Sequence, residues 1–475
     1  MRALKKYLLI TLGLLTTSLA QAETYYVSPT GTASWAQCAA GTGGGGVITN
    51  NTTHCNGRTA VENAVAGDLV YFRGGTYSPH LNPVASWAAA PNALKYEQLP
   101  WNPSNNGTPA NPITFKAFPG DPPAVFIDNI YSAALGAVGR NYIVWDGFTG
   151  TIVNSVGAGL EVIMFAYCQE TIGCVFRNMN ITGVLKDSHH NAGLITLLRT
   201  TNTLIENNRL HDMNNDAVGS GEEAVNAAAI LNFESTGMVV RNNDIYNNYL
   251  GVWDKDSESG NRYYQNHIWG GTTSATRCQV GIQIRNGLDR VSQPNDPQAY
   301  QNIIRNCNVG AWVSYDNTYV NSAKVFNNVI VSAAGLNPLA GIQVSSGSVN
   351  AEIYNNIIDG YTYPFMYFSP ATTVGYSNQN IFFHSSSMQW RSGYTGYSLA
   401  DWRTMTGFDT SPSNNVINPQ FVRGGSSNPA DYKLAMGSPA IGTGRNGVNI
   451  GAYPTSTSAN IGSSSARPNA PVLLP

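Results

Sequence analysis

Lys255 and Arg285 have the residue types and spacing for proton chemistry. A lysine withdrawn from water, or crowded by other cations, loses its proton well below its usual pKa of about 10.4 and then serves as a base. An arginine supplies fixed positive charge where an anion must be neutralised. Arg199, nearer the N-terminus, offers a third cation of the same kind. The blander reading is a charge ladder. Asp254 would stack with Arg285, and Glu234 would lie between Arg199 and Lys255, each pair offsetting the cost of burial. A lysine held in such a ladder stays protonated and makes a poor base.

The elements that position these residues are short strands. Aligned, they read LITLLR (194–199), AILNFE (229–234), LGVWDK (250–255), GIQIRN (281–286), GAWVSY (310–315) and GIQVSS (341–346). Stacked about 4.8 Å apart, they give one column of Leu198, Phe233, Asp254, Arg285, Ser314 and Ser345. Its neighbour holds Arg199, Glu234, Lys255, Asn286, Tyr315 and Ser346. Between these strands an Asn-x-Ile/Leu motif returns, starting at Asn208, Asn243, Asn266, Asn302, Asn328 and Asn356, with gaps of 35, 23, 36, 26 and 28 residues. Strands at an irregular period in this range predict an all-β parallel solenoid. The asparagines are expected to bond to one another and to turn backbone, with the Ile or Leu filling the core. Two inserts, 211–226 and 288–299, leave the coils beside Lys255 and Arg285. Long loops on a rigid scaffold commonly carry function, and a groove between these two would hold an extended polymer.

Composition narrows the classes. Of 475 residues only 11% are charged, and the net charge is −2. Nucleic-acid binding needs clustered Lys and Arg and is disfavoured. Residues 1–22 read as a signal peptide, with Arg2, Lys5 and Lys6, an apolar run from Tyr7 to Leu19, and Ala20-Gln-Ala22 as the cleavage site. The apolar run falls short of a membrane span. The expectation is a secreted or periplasmic monomer with no membrane span. Six cysteines in an exported chain suggest disulfides, and proximity favours Cys38–Cys55, Cys168–Cys174 and Cys278–Cys307 among fifteen pairings.

Residues 23–454 are expected to form one domain: an N-terminal cap over about 23–77, regular coils over about 112–384, and a closing segment over about 385–454. Arg58–Ala66 predicts a short capping helix with Val61, Ala64 and Val65 on its buried face. Such a cap covers strand edges that would otherwise recruit other chains. Residues 455–475 are Ser-, Ala- and Pro-rich and read as a disordered tail.

The opening TYYVSPTG, GDLVYFRGGTY and NPITFKAFPG, and the ending NPQFV, DYKLAMGSPAIGTG and IGAYP, resemble the right-handed parallel β-helix proteins of the polysaccharide-lyase type. Within them, Lys255-Asp-Ser-Glu-Ser-Gly-Asn261 and Ile282-Gln-Ile-Arg285-Asn-Gly287 are similar to the lysine and arginine segments of the alginate lyase/chondroitin-B lyase family (polysaccharide lyase family 6). The resemblance implies an acidic polysaccharide as partner and β-elimination as the reaction. It makes Lys255 the proton-abstracting base and has Arg285 neutralise the uronate. Arg199, Glu234, Trp253, Asn286 and Tyr315 are the accompanying substrate-binding candidates. The chain departs from the family where acidic Ca²⁺ ligands precede the lysine, since Asn247–Trp253 holds no acid, and where Asn286 replaces the usual His. Either the site works without that metal, or Ca²⁺ ligands come from Asp254, Asp256, Glu222 and Glu223, or the reaction differs; the acids of the 211–226 loop otherwise form a solvated surface. Trp253, Trp269 and Trp312 stack on sugar or pack, and His189-His190 is an exposed turn or a second site. Two other classes stay open: a non-catalytic carbohydrate-binding or adhesive β-helix, and a glycoside hydrolase using Asp254 with Asp256.

Overall fold

Asparagine sets the coil. In the computed structural model, the side-chain amide of each ladder asparagine accepts from the backbone N–H and Nδ2 of the asparagine one coil earlier. The ladder runs Asn208, Asn243, Asn266, Asn302, Asn328, Asn356 and Asn380, with Nδ2–Oδ1 distances of 2.9–3.1 Å. Each Nδ2 also donates to a strand carbonyl of the preceding coil, as Asn302 does to the Tyr263 oxygen at 2.9 Å. The residue before each of these seven is an Asn or Gln with φ between 50° and 57°. That left-handed corner turns the chain from one strand into the next.

The structure describes residues 23–38, 53–77, 101–128, 133–152, 164–183, 192–213, 227–272, 278–286, 295–314, 319–368, 373–384, 390–392, 395–412 and 415–455. The expected signal peptide, the tail from 456 onward, Tyr315, Glu222, Glu223, His189, His190 and most of both inserts lie outside them.

Three long sheets of 12, 11 and 11 strands form the walls, each coil contributing one strand to each. Strand pairs are parallel, apart from a terminal antiparallel pair, Trp390–Ser392 with Thr395–Tyr397. The fold is therefore an all-β parallel β-helix, as the strand period predicts. Inward columns fill its core. Ile245, Ile268, Ile304, Ile330 and Ile358, from the Asn-x-Ile motif, are all at most 1% exposed.

The N-terminal helix forms over Gly57–Asn63, capped by Asn56, whose Oδ1 accepts from Thr59 N at 2.8 Å. It buries Ala60, Val61 and Ala64, and ends before Val65, whose N–H is taken by Asp68 Oδ2 at 2.8 Å. Disulfides join Cys38–Cys55, Cys168–Cys174 and Cys278–Cys307.

The closing segment is expected over the last coil, and only part of it lies there. Helix Leu399–Thr406 buries Trp402 against Tyr367, at 5.4 Å between rings. Residues 415–454 instead return along the flank of the second sheet. There Tyr432, Ala440, Ile450, Ala452 and Tyr453 cover Ile303, Val329, Ile357 and Ile381, which face outward from four successive coils. The physical reason is this outward apolar stripe, which needs a cover.

Candidate active site

The third sheet carries the chemical candidates, and glycine sets its register. Gly251, Gly281, Gly310 and Gly341 stack in one column. A Cβ on each of the first three would lie 2.5 Å from the next glycine's carbonyl oxygen. It would also lie 2.4–2.7 Å from the Cγ2 of Ile268, Ile304 or Ile330, respectively. Only glycine lets the coils approach there while the motif isoleucines press in from behind.

This column corrects the alignment read from sequence. Strand Leu250–Asp256 is shifted by one residue: Val252 pairs with Ile230 and Ile282, Trp253 with Leu231 and Gln283, and Asp254 with Asn232 and Ile284. Asp254 is therefore not stacked with Arg285, and Lys255 is not in the Glu234 column. A bulge follows, because Phe233 pairs with Asp256 and leaves Lys255 as the extra residue. Lys255 follows Asp254 as Arg285 follows Ile284, so the two cations stand side by side on adjacent coils.

They share an aromatic support. Lys255 Nζ lies 4.9 Å from the Trp253 ring centroid and 5.4 Å from that of Phe233. Arg285 Cζ lies 5.2 Å from the Trp253 ring. Trp253 is only 3% exposed, so it supports the two cations rather than offering a free face to a sugar. Loss of water pushes the Lys255 amine down to about 8, the Arg285 charge adds to this, and Asp256 opposes it. The arrangement is the one a lysine base requires.

Asp254 points the other way, into the coil. It is fully buried and accepts from Asn232 Nδ2 at 2.7 Å, Asn261 Nδ2 at 3.2 Å and the Tyr263 hydroxyl. Burial raises its carboxyl to about 6, against hydrogen bonds from Ser257, Tyr263, Asn232 and Asn261. A carboxylate enclosed in this way reaches neither a saccharide nor a cation on the outer wall. That takes Asp254 out of the proposed Ca²⁺ ligands and out of any hydrolytic pair with Asp256.

The other sequence candidates disperse. Arg199 sits in a corner at φ 52° and pairs with Glu170 of the preceding coil at 2.9 Å, both half exposed, and not with the expected Glu234 of the following coil. Glu234 occupies the next corner, its N–H donating to the Asp256 carbonyl at 2.8 Å. Asn286 is 1% exposed and follows Arg285. Trp269 lies on the second sheet, stacked on Tyr246 at 4.6 Å. Trp312 bonds Ser345 Oγ at 2.9 Å. Among the described residues, no three or more His, Cys, Asp and Glu side chains are grouped to hold a metal ion. Two of the expected Ca²⁺ ligands, Glu222 and Glu223, lie outside the described residues. Phe233 is the member of the site that sequence reasoning missed, and correct alignment of the glycines would have placed it beside Lys255.

Residues 161–358 match the family described as the right handed beta helix region. No curated protein matches the chain. Among solved structures, a pectate lyase is 12% identical, with 92% of this chain and 97% of that one covered at a TM-score of 0.47. A rhamnogalacturonan lyase is 13% identical over 87% and 95%, at 0.48. An alginate lyase of the PL6 family is 15% identical over 77% and 59%, at 0.36.

Proposed function

We propose that this chain is an exported polysaccharide lyase that cleaves a uronate-containing polymer by β-elimination. The observation that carries the reading is the placement of Lys255 beside Arg285 on a shared aromatic support, with the lysine amine brought down to about 8. Arg285 would pair with the uronate carboxylate and make the C5 proton more acidic. The neutral Lys255 amine would take that proton. The C5–H electron pair would become the C4=C5 double bond as the C4–oxygen bond breaks. The lysine, now a cation beside Arg285, is driven by the same repulsion to release its proton to the departing oxygen or to water. Three disulfides fit an oxidising compartment outside the cytoplasm.

The test is ultraviolet absorbance of the unsaturated uronate product. Purified protein is mixed with alginate, polygalacturonate, chondroitin or dermatan, with Ca²⁺ and with chelator. A rise that disappears in Lys255→Ala is expected, and the chelator arm reports whether a cation assists Arg285. A rise that persists in Lys255→Ala would move the base elsewhere. New reducing ends without absorbance would replace elimination by hydrolysis. Silence on all four polymers would overturn the reading for this panel and leave a binding protein.

A further inference from the structure

The return of residues 415–454 over the second sheet leaves a cleft on a different wall of the β-helix from Lys255, beginning two coils after it. Its floor is one outward column of that sheet, Arg305, Val331 and Asp359 on successive coils. Its wall is the return segment, with Phe421 and Tyr432. The cavity holds about 410 Å³, and a second cavity of about 390 Å³ adjoins it, the two sharing Ser332, Ala333, Asp359 and His384. Each is within the range of small-ligand sites, roughly 300–1,000 Å³. Two adjoining cavities suit an extended ligand better than a compact one.

Both ends of the column are chemically prepared. Tyr432 accepts from Arg305 Nε at 3.1 Å and donates to the Ser426 carbonyl at 3.0 Å, which fixes the guanidinium. Among the described residues, Arg305 Nη1 is buried with no hydrogen-bond partner. A donor left so is costly until an acceptor arrives, and a carboxylate is the natural acceptor for a guanidinium. Two coils on, about 10 Å away by the strand spacing, Asp359 is mostly buried with His384 Nδ1 at 3.5 Å. This pair can accept from and donate to hydroxyls. The aromatic wall of Phe421 and Tyr432 offers apolar surface to the C–H face of a sugar ring.

We propose that this cleft is a second saccharide site, which binds an acidic oligosaccharide with one carboxylate on Arg305 and hydroxyls on Asp359 and His384. The class of ligand rests on the uronate reading above, but the site does not involve Lys255. It would hold a polymer on the flank of the β-helix while the groove on the third sheet acts on it.

The test is calorimetric titration of the full chain carrying Lys255→Ala, so that nothing is cleaved. Saturated trigalacturonate and trimannuronate are the probes, and maltotriose is the neutral control. One of the acidic probes is expected to bind, with maltotriose at least tenfold weaker. Adding Arg305→Gln should weaken that binding at least tenfold. Tyr432→Phe, which keeps the packing but removes the acceptor that orients Arg305, should weaken it less. Unchanged melting temperatures exclude unfolding as the cause. Binding that survives Arg305→Gln but is lost in Arg285→Ala would overturn the second site and leave the lyase groove intact. Absence of binding by either acidic probe would also overturn it. Failure of the lyase reading shows only in the absorbance assay.

Discussion

Asp254 and Lys255 are consecutive residues that leave one strand on opposite faces. Asp254 is enclosed among Asn232, Asn261 and Tyr263, while Lys255 lies on the outer wall against Phe233 and Trp253. The buried acid anchors the strand immediately before its bulge. The bulge then brings the amine next to Arg285. The polar network inside the coil thus fixes the position of a base outside it.

Activity should rise with pH through about 8, because the neutral amine is the working form and the folded chain holds Lys255 there. Replacing Arg285 by Met removes the cation that helps depress the lysine, so the rise should move to higher pH as well as fall in height. The pH dependence of kcat/KM in both proteins checks this. Lys255→Ala should lose about 10²- to 10⁴-fold, the usual worth of a positioned base.

Asp254 should make the fold pH-sensitive in the acid-favouring sense. Its carboxyl is raised from 3.8 to about 6 in the folded chain. The stability it contributes is therefore fully present below about 3.8 and is lost as pH rises through about 6. Asp121, Asp212, Asp244 and Asp296 are shifted down and act in the opposite direction. The difference between the wild type and Asp254→Asn isolates the one group. In urea unfolding, the wild type should lose on the order of 3 kcal/mol relative to Asp254→Asn between pH 3.5 and 7.5. A difference independent of pH would contradict this.

Asn302→Ala removes a whole rung. Asn302 accepts from Asn266 N and Nδ2 and donates to the Tyr263 carbonyl and Asn328 Oδ1, all within 2.9–3.0 Å. Each buried partner left unpaired costs about 1–3 kcal/mol. The urea midpoint should fall strongly, with hydrogen-exchange protection lost first in the coils on either side.

Gly251→Ala should act on both stability and activity. Its Cβ would meet the Gly281 oxygen at 2.5 Å and the Ile268 Cγ2 at 2.7 Å. Overpacking of this kind costs about 1–3 kcal/mol. It would also push apart the coils that bear Lys255 and Arg285. Unfolding and kcat/KM measured on the same preparation should fall together, whereas a merely structural glycine would spare kcat/KM.

The coil repeat was legible because a buried asparagine must find partners, and only stacking supplies them to every Asn-x-Ile at once. The site was legible in its residues but not in its register. Aligning the strands by composition sets Leu250 against Gly281, and a one-residue slip in a strand exchanges the inner and outer faces. Asp254 then falls in the column of Arg285, a place that belongs to Lys255. The glycines at 251, 281, 310 and 341 hold the missing signal. A second signal explains the return segment. The middle residue of Asn-x-Ile/Leu is Arg209, Asp244 and His267 in the earlier coils, then Ile303, Val329 and Ile357, with Ile381 in the same place of Asn380-Ile-Phe382. The change from polar to apolar marks where the outer wall is covered. The partner of that stripe is not legible, because residues 415–454 carry no period to align against it.

The asparagine ladder also has a direction. Every amide in it points the same way, with oxygen toward earlier coils and Nδ2 toward later ones. Aligned amide dipoles add, as they do along an α-helix. One pole meets the Met179 backbone N–H at 2.9 Å, and the other, the donor end, meets the buried carboxylate of Asp409 at 3.0 Å. The β-helix therefore holds a polar axis along its length, terminated by an acid at its positive end. Reversing or interrupting that axis would be felt electrically at Asp409, many coils from the change.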